Sequence, residues 1–147
     1  MAYIAVVGPG DASPAETDAA ELIGRGIAER GDTLVCGGLG GVMEAACRGA
    51  AQAGGTTVGI LPGADRIAGN EWLQVAIPTG LGELRNGLVV RAADVVVAVG
   101  GAYGTLSEVA LALKTGVPVV GLNTWEIDGI EVADSPADAI RAIQRHT

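Results

Sequence analysis

The sequence predicts an α/β fold: one three-layer α/β/α domain over residues 1–147 with a mostly parallel sheet. Three observations lead there. Short runs rich in Val and Ile alternate with longer Ala-rich amphipathic segments, the rhythm of repeated strand–helix units. Hydrophobic residues make up 49% of the chain, enough to cover a sheet on both faces. Phe is absent and Gly numbers 24, so Val, Ile, Leu and Ala must build a core of small, closely packed side chains.

The runs that read as strands are Tyr3–Gly8, Thr33–Cys36, Thr57–Leu61, Leu73–Pro78, Asp94–Val99 and Val117–Leu122, with Gly129–Val132 as an edge strand. The first helix has a start signal in "SPAE": Ser13 caps, Pro14 takes the first helical position and Glu16 completes a capping box. It runs to about Ala28, and Gly31 supplies the left-handed turn that ends it. A second helix covers Val42 to Ala53 and stops at Gly54–Gly55. A third covers about Leu81 to Ala92, with Leu84 and Leu88 continuing one stripe at helical spacing. The fourth runs from Thr105 to Thr115, with Gly116 and Pro118 beyond it, and the last from Pro136 to Gln144 behind a Ser135 cap. The stretch Pro62–Trp72 has no period and reads as an exposed loop, and both Trp72 and Trp125 read as core or interface residues.

Composition excludes several functions. A formal net charge of −8 repels a polyanionic backbone and argues against general nucleic-acid binding. Cys36 and Cys47 form no CxxC pair and read as reduced, buried thiols of a cytoplasmic protein. The only histidine, His146, leaves no basis for a His triad or a multi-His metal site. The first residues already read as a strand rather than a signal peptide, and no apolar run is long enough to span a bilayer.

In a parallel α/β sheet, ligands bind outside the carboxyl ends of the strands. Three loops expected there are glycine-rich: "GPGDAS" (Gly8–Ser13), "CGGLGG" (Cys36–Gly41) and "GGAYGT" (Gly100–Thr105). Glycines admit close approach to a ligand, and helix N-termini offer free N–H groups to an anion. Gly8, Gly10, Gly38, Gly40, Gly41, Gly100, Gly101 and Gly104 are therefore candidate ligand-binding positions. Dinucleotide binding is disfavoured, because Cys36 and Gly37 stand where an acid should meet the ribose. No GxxxxGK[ST] is present.

The third loop holds the chemistry. Thr105 and Glu108 have capping-box spacing, so Glu108 either closes its own helix start or stands free beside a bound ligand. Tyr103 either closes over a ligand ring or is a lone surface aromatic. Asp11 and Glu44 read as helix-start acids.

"VGGAYGTLSE" resembles the PGGxGTxxE signature of the Lonely Guy proteins, a group once mislabelled lysine decarboxylases within a wider Rossmann-like superfamily. "ELRNGLVVRAAD" places Arg85 at the distance from Ala93–Asp94 that the family keeps between its arginine and an Ala-Asp pair, and "CGGLGGVMEAA" resembles its GGGxxGLMG stretch. The likeness runs from the first strand to Leu122. It implies a Rossmann-like fold, a homodimer and a small phosphorylated partner. It also implies phosphoribohydrolase chemistry on nucleoside 5′-monophosphates, with Glu108 and Arg85 as the catalytic pair and Tyr103, Gly104 and Thr105 among the ligand-binding residues. No catalytic cofactor is implied. Val99 replaces the signature proline and Asn86 the lysine after the arginine, departures that look like a side branch similar to molybdenum-cofactor carrier proteins. There the ligand is molybdenum cofactor, a phosphate-bearing pterin, held without catalysis. Decarboxylation through a Schiff base would need a lysine near the loops, and the only one, Lys114, ends the fourth helix.

Overall fold

Continuous runs of buried β-branched residues are the mark of strands covered on both faces, and the computed structural model, which describes residues 1–147, sets them in a seven-stranded sheet. In chain order the elements are β1 (Tyr3–Val7), α1 (Pro14–Glu29), β2 (Thr33–Cys36), α2 (Val42–Gln52), β3 (Thr56–Leu61), β4 (Val75–Pro78), α3 (Asn86–Arg91), β5 (Val95–Val99), α4 (Tyr103–Thr115), β6 (Val119–Leu122), β7 (Glu131–Val132) and α5 (Pro136–His146). All pairs are parallel, in the order β4-β3-β2-β1-β5-β6-β7. The α/β Rossmann-like expectation is met, with β7 at the edge beside β6.

Side chains alternate between the two covered faces. Ile4, Val6, Leu34, Val97 and Val120 pack under α1, α2 and α5, against Ile23, Ile27, Ala46 and Ile143. Ala5, Val7, Val35, Val96 and Ala98 pack under α3 and α4, against Val89, Val90, Val109 and Ala112. A methyl group on Gly24 would strike the Ala46 carbonyl, and one on Gly49 the Glu21 carbonyl, so α1 and α2 meet backbone to backbone.

The caps behave as read. Ser13 Oγ accepts from Glu16 N–H at 3.2 Å while Glu16 Oε1 accepts from Ser13 N–H at 2.8 Å. Ser135 Oγ accepts from Asp138 N–H at 3.1 Å. β2 keeps its expected bounds, β3 starts one residue earlier, and the other strands are shorter by one or two residues, as terminal assignments commonly vary.

Three elements differ from the sequence reading. The segment expected to be a helix from Leu81 opens with a 3₁₀ turn, Gly82–Arg85, and becomes α-helical only at Asn86. Three residues per turn instead of 3.6 shift the phase, so Leu81, Leu84 and Leu88 point outward at 48%, 80% and 42% exposure while Arg85 and Asn86 turn inward. Helix α4 starts at Tyr103, two residues before the expected Thr105. The loop after β3 is largely exposed but carries a 3₁₀ turn at Arg66–Ala68. No helix is long and apolar enough to cross a membrane.

Candidate functional site

β1 and β5 are neighbours whose outgoing connections run to opposite sides of the sheet, the arrangement that opens a crevice at the strand carboxyl ends. The loops Gly8–Ser13 and Gly100–Ala102 meet there, and Gly37–Gly41 adjoins them. Main-chain bonds hold the rim: Val42 N–H donates to Pro9 O at 3.1 Å, and Gly100 N–H to Leu122 O at 3.1 Å. Asn70, on the loop after β3, donates through Nδ2 to Leu39 O at 3.0 Å and through its own N–H to Gly38 O at 2.9 Å. Sequence reasoning missed Asn70, because nothing in an aperiodic loop marks which residue folds back.

The loop glycines divide into two kinds. Five have an internal reason to lack a side chain. A Cβ on Gly8 would meet the Val99 carbonyl, one on Gly38 the Leu61 side chain, one on Gly41 the Pro9 carbonyl and one on Gly101 the Trp125 indole at 3.2 Å. Gly100 sits at φ +71°, which favours glycine, and the Glu16 carboxylate occupies the place a Cβ would take. Gly10, Gly40 and Gly104 have no such reason. None has positive φ. A Cβ on Gly10 or Gly104 would have nothing within 4 Å, and one on Gly40 would reach its nearest neighbours only at 4.0 Å.

Arg85 is buried rather than solvated, with 9% exposure. Its Nε donates to Ile60 O at 2.9 Å, Nη2 to Gly37 O at 3.4 Å and Nη1 to Asn86 Oδ1. Asn86, where the related enzymes carry lysine, passes the network on by donating to Ser107 Oγ at 3.3 Å. The expected pairing of Arg85 with Glu108 does not form: the guanidinium is held by carbonyls and Asn86, and no Arg85–Glu108 ion pair lies within 4 Å. Gly37 was also missed, although a side chain there would collide with the guanidinium.

Glu108 is 8% exposed. Burial pushes its carboxyl up to about 7, and the Arg85 charge offsets only part of that. The capping-box reading of Thr105 and Glu108 fails. Helix α4 is capped at Ala102 without any side-chain bond, and Thr105 Oγ1 is buried with no hydrogen-bond partner. A helix starting two residues earlier puts Thr105 at its third position, facing inward, with Glu108 one turn further along the same side. Asp94 of the Ala-Asp pair serves the opposite edge of the sheet, where it accepts from Tyr3 N–H at 2.9 Å. Lys114 lies in the last turn of α4, away from the loops. Asp11 is exposed, and Glu44 sits in the first turn of α2.

Tyr103 is not a lone aromatic. Its ring stacks on Trp125, with centroids 6.2 Å apart and planes 23° apart. Trp125 follows β6, is half-buried, and donates from its indole N–H to Ala102 O at 3.0 Å. It therefore sits at the crevice rather than in the core. A cleft of about 580 Å³ is lined by Trp125 together with Glu126, Asp128 and Asp134 and holds no cation, which makes it unsuited to an anion.

The all-parallel Rossmann-like sheet with glycine loops at its topological switch point is the architecture of the Lonely Guy-like Rossmann superfamily, to which the family match assigns the chain. Within it, the chain belongs to the SLOG cluster4 family, whose profile matches residues 1–146. It is 41% identical over 141 residues to an uncharacterized protein of Archaeoglobus fulgidus, covering 95% of this chain and 93% of that one. The structure of the molybdenum cofactor binding protein from Rippkaea orientalis superposes with a TM-score of 0.94 at 39% identity, covering 98% of this chain and 96% of the other. The molybdenum cofactor carrier protein of Chlamydomonas reinhardtii superposes with a TM-score of 0.89 at 38% identity, again over 98% and 96%.

Proposed function

We propose that this chain holds a small phosphorylated cofactor of the molybdenum-cofactor type, a phosphate-bearing pterin, without cleaving it. The observation that carries the reading is the set of three glycines, Gly10, Gly40 and Gly104. Neither backbone conformation nor packing accounts for them, and each keeps side-chain volume out of the space before a loop. A cradle kept clear in this way suits a ligand that must approach main-chain amides. The names borne by two structures similar at 38–39% identity support the same ligand class.

The phosphate is held by the amides of Gly101, Gly104 and Thr105 at the start of α4, where the helix dipole favours an anion. Thr105 Oγ1 is buried at this helix start without an internal partner, so it reaches a ligand oxygen only if the groups covering it shift. Gly8, Gly38, Gly41 and Gly100 shape the crevice walls, with Gly10 and Gly40 lining the open space. Glu108, neutral below about pH 7, does not repel the anion there. When bound, the cofactor supplies its own redox chemistry, and the chain supplies grip and shelter.

A second reading, cleavage of a nucleoside 5′-monophosphate by Glu108, has one observation in its favour: a buried carboxyl poised near 7 suits acid–base work at neutral pH. It lacks the orienting arginine pair, because Arg85 is bonded elsewhere. Calorimetric titration with purified molybdenum cofactor, alongside incubation with AMP and chromatography for free adenine, tests both. Cofactor binding without adenine release is the expected result. Adenine release that is lost in Glu108→Gln would overturn the carrier reading in favour of the hydrolase.

A further inference from the structure

We propose that Trp125 and Tyr103 form a two-ring shelf that takes the planar heteroaromatic ring of the phosphorylated ligand. The inference rests on the ligand-holding function proposed above and adds the part of the site that reads the ring.

Four side chains in the whole sequence are aromatic: Tyr3, Trp72, Tyr103 and Trp125. Two of them, brought together from 22 positions apart, stack at the mouth of α4 with centroids 6.2 Å apart and planes at 23°. That is an offset stack, the geometry aromatic rings prefer. Tyr103 nevertheless stays 84% exposed, so one face meets the indole and the other is open to solvent. An exposed large ring costs hydration free energy, and covering that face with another flat π-system recovers it.

The indole is fixed in three ways. Its N–H donates to Ala102 O at 3.0 Å. Its ring lies so close to Gly101 that a Cβ would meet Nε1 at 3.2 Å and Cδ1 at 3.4 Å. Tyr103 covers it from the third side. A fixed indole in turn limits where the tyrosine ring can lie, so the outer face is presented before a ligand arrives. The residue after Tyr103 is Gly104, where the Cβ position is empty out to 4 Å, so open space adjoins the shelf at the start of α4, where the proposed phosphate-binding amides lie. The ring platform and the proposed anion platform thus sit on consecutive residues, which matches a ligand carrying a flat ring and a phosphate on a short link. The cleft that Trp125 helps to line carries Glu126, Asp128 and Asp134 and no cation, so it disfavours a phosphate.

The test compares two probes that differ only in the ring: 6-hydroxymethylpterin monophosphate and methyl phosphate. Affinities are measured by calorimetry for wild type, Tyr103→Ala, Tyr103→Phe and Trp125→Leu, with melting curves to confirm folding. Stacking predicts that wild type prefers the pterin phosphate by roughly 5- to 150-fold. Tyr103→Ala removes most of that preference without changing methyl phosphate binding, Tyr103→Phe keeps it, and Trp125→Leu reduces it. In a Trp72→Phe background, Trp125 emission is quenched by the pterin probe and not by methyl phosphate. Equal affinity of wild type for the two probes overturns the shelf and leaves the phosphate site standing. An unchanged preference in Tyr103→Ala, or equal loss of both probes, also overturns it. If neither probe binds wild type, the ligand-holding function fails and the shelf fails with it.

Discussion

The Arg85 guanidinium donates to the Gly37 carbonyl at 3.4 Å and lies so close to that residue that a Cβ there would meet Nη2 at 2.7 Å. An arginine from the segment before α3 thus underpins the loop after β2, 48 positions away in the chain. The guanidinium of the residue that the family resemblance assigns to catalysis is buried and also reaches Ile60 O and Asn86.

Arg85→Ala leaves two buried carbonyls without this donor and opens a cavity. A loss of about 2–5 kcal/mol in urea unfolding is expected. Arg85→Lys recovers only part of it, because an ammonium cannot span the same fork. Removing the charge also lifts the Glu108 pKa above its wild-type value, which carboxyl-carbon NMR titration of Glu108 reads directly. An unshifted titration in a folded Arg85→Ala protein would contradict the electrostatic link between the two.

Glu108 titrates near 7 when folded and near 4.5 when unfolded. The folded state therefore keeps a proton that the unfolded state releases across pH 4.5 to 7, so this group lowers stability as pH rises through that window and no further above it. Glu108→Gln removes that slope. Relative to wild type, the variant should gain on the order of 3 kcal/mol between pH 4.5 and 8. Unfolding curves at several pH values check this, and parallel pH profiles for the two proteins would show that burial does not perturb the carboxyl.

Gly10→Ala and Gly104→Ala add a methyl group to open space at unremarkable φ. Stability should stay level or rise by up to about 1 kcal/mol, most for Gly104 inside α4. Binding of a phosphorylated ligand should weaken tenfold or more. Unchanged affinity in both variants would remove the cradle argument.

Gly24→Ala and Gly49→Ala provide the contrast. Alanine is the better helix former, yet the methyl groups would run into the carbonyls of Ala46 and Glu21. Destabilisation of at least about 1–3 kcal/mol is expected from forcing α1 and α2 apart, with both transitions moving to lower denaturant.

Local and periodic features were legible in the sequence because their causes lie within a few residues. The valine runs announced the strands, "SPAE" and Ser135 announced their caps, and the glycine clusters announced loops that do gather at one edge. The third helix was misread because a 3₁₀ turn changes the repeat on which the leucine stripe was counted. The capping-box spacing of Thr105 and Glu108 left two readings open, because the same two residues satisfy it whether the helix starts at Thr105 or at Tyr103.

By itself, then, the sequence determined the layers of this protein: which runs are strands, where helices begin, and that small residues line one edge. The tertiary structure decided the surroundings of the site residues. Arg85 is bonded to loop carbonyls, Glu108 has a raised pKa and Trp125 backs Tyr103 because each depends on groups far away in the chain. Periodicity is a property of neighbours along the backbone, whereas desolvation, charge coupling and ring stacking depend on distances that exist only once the sheet has brought its loops together.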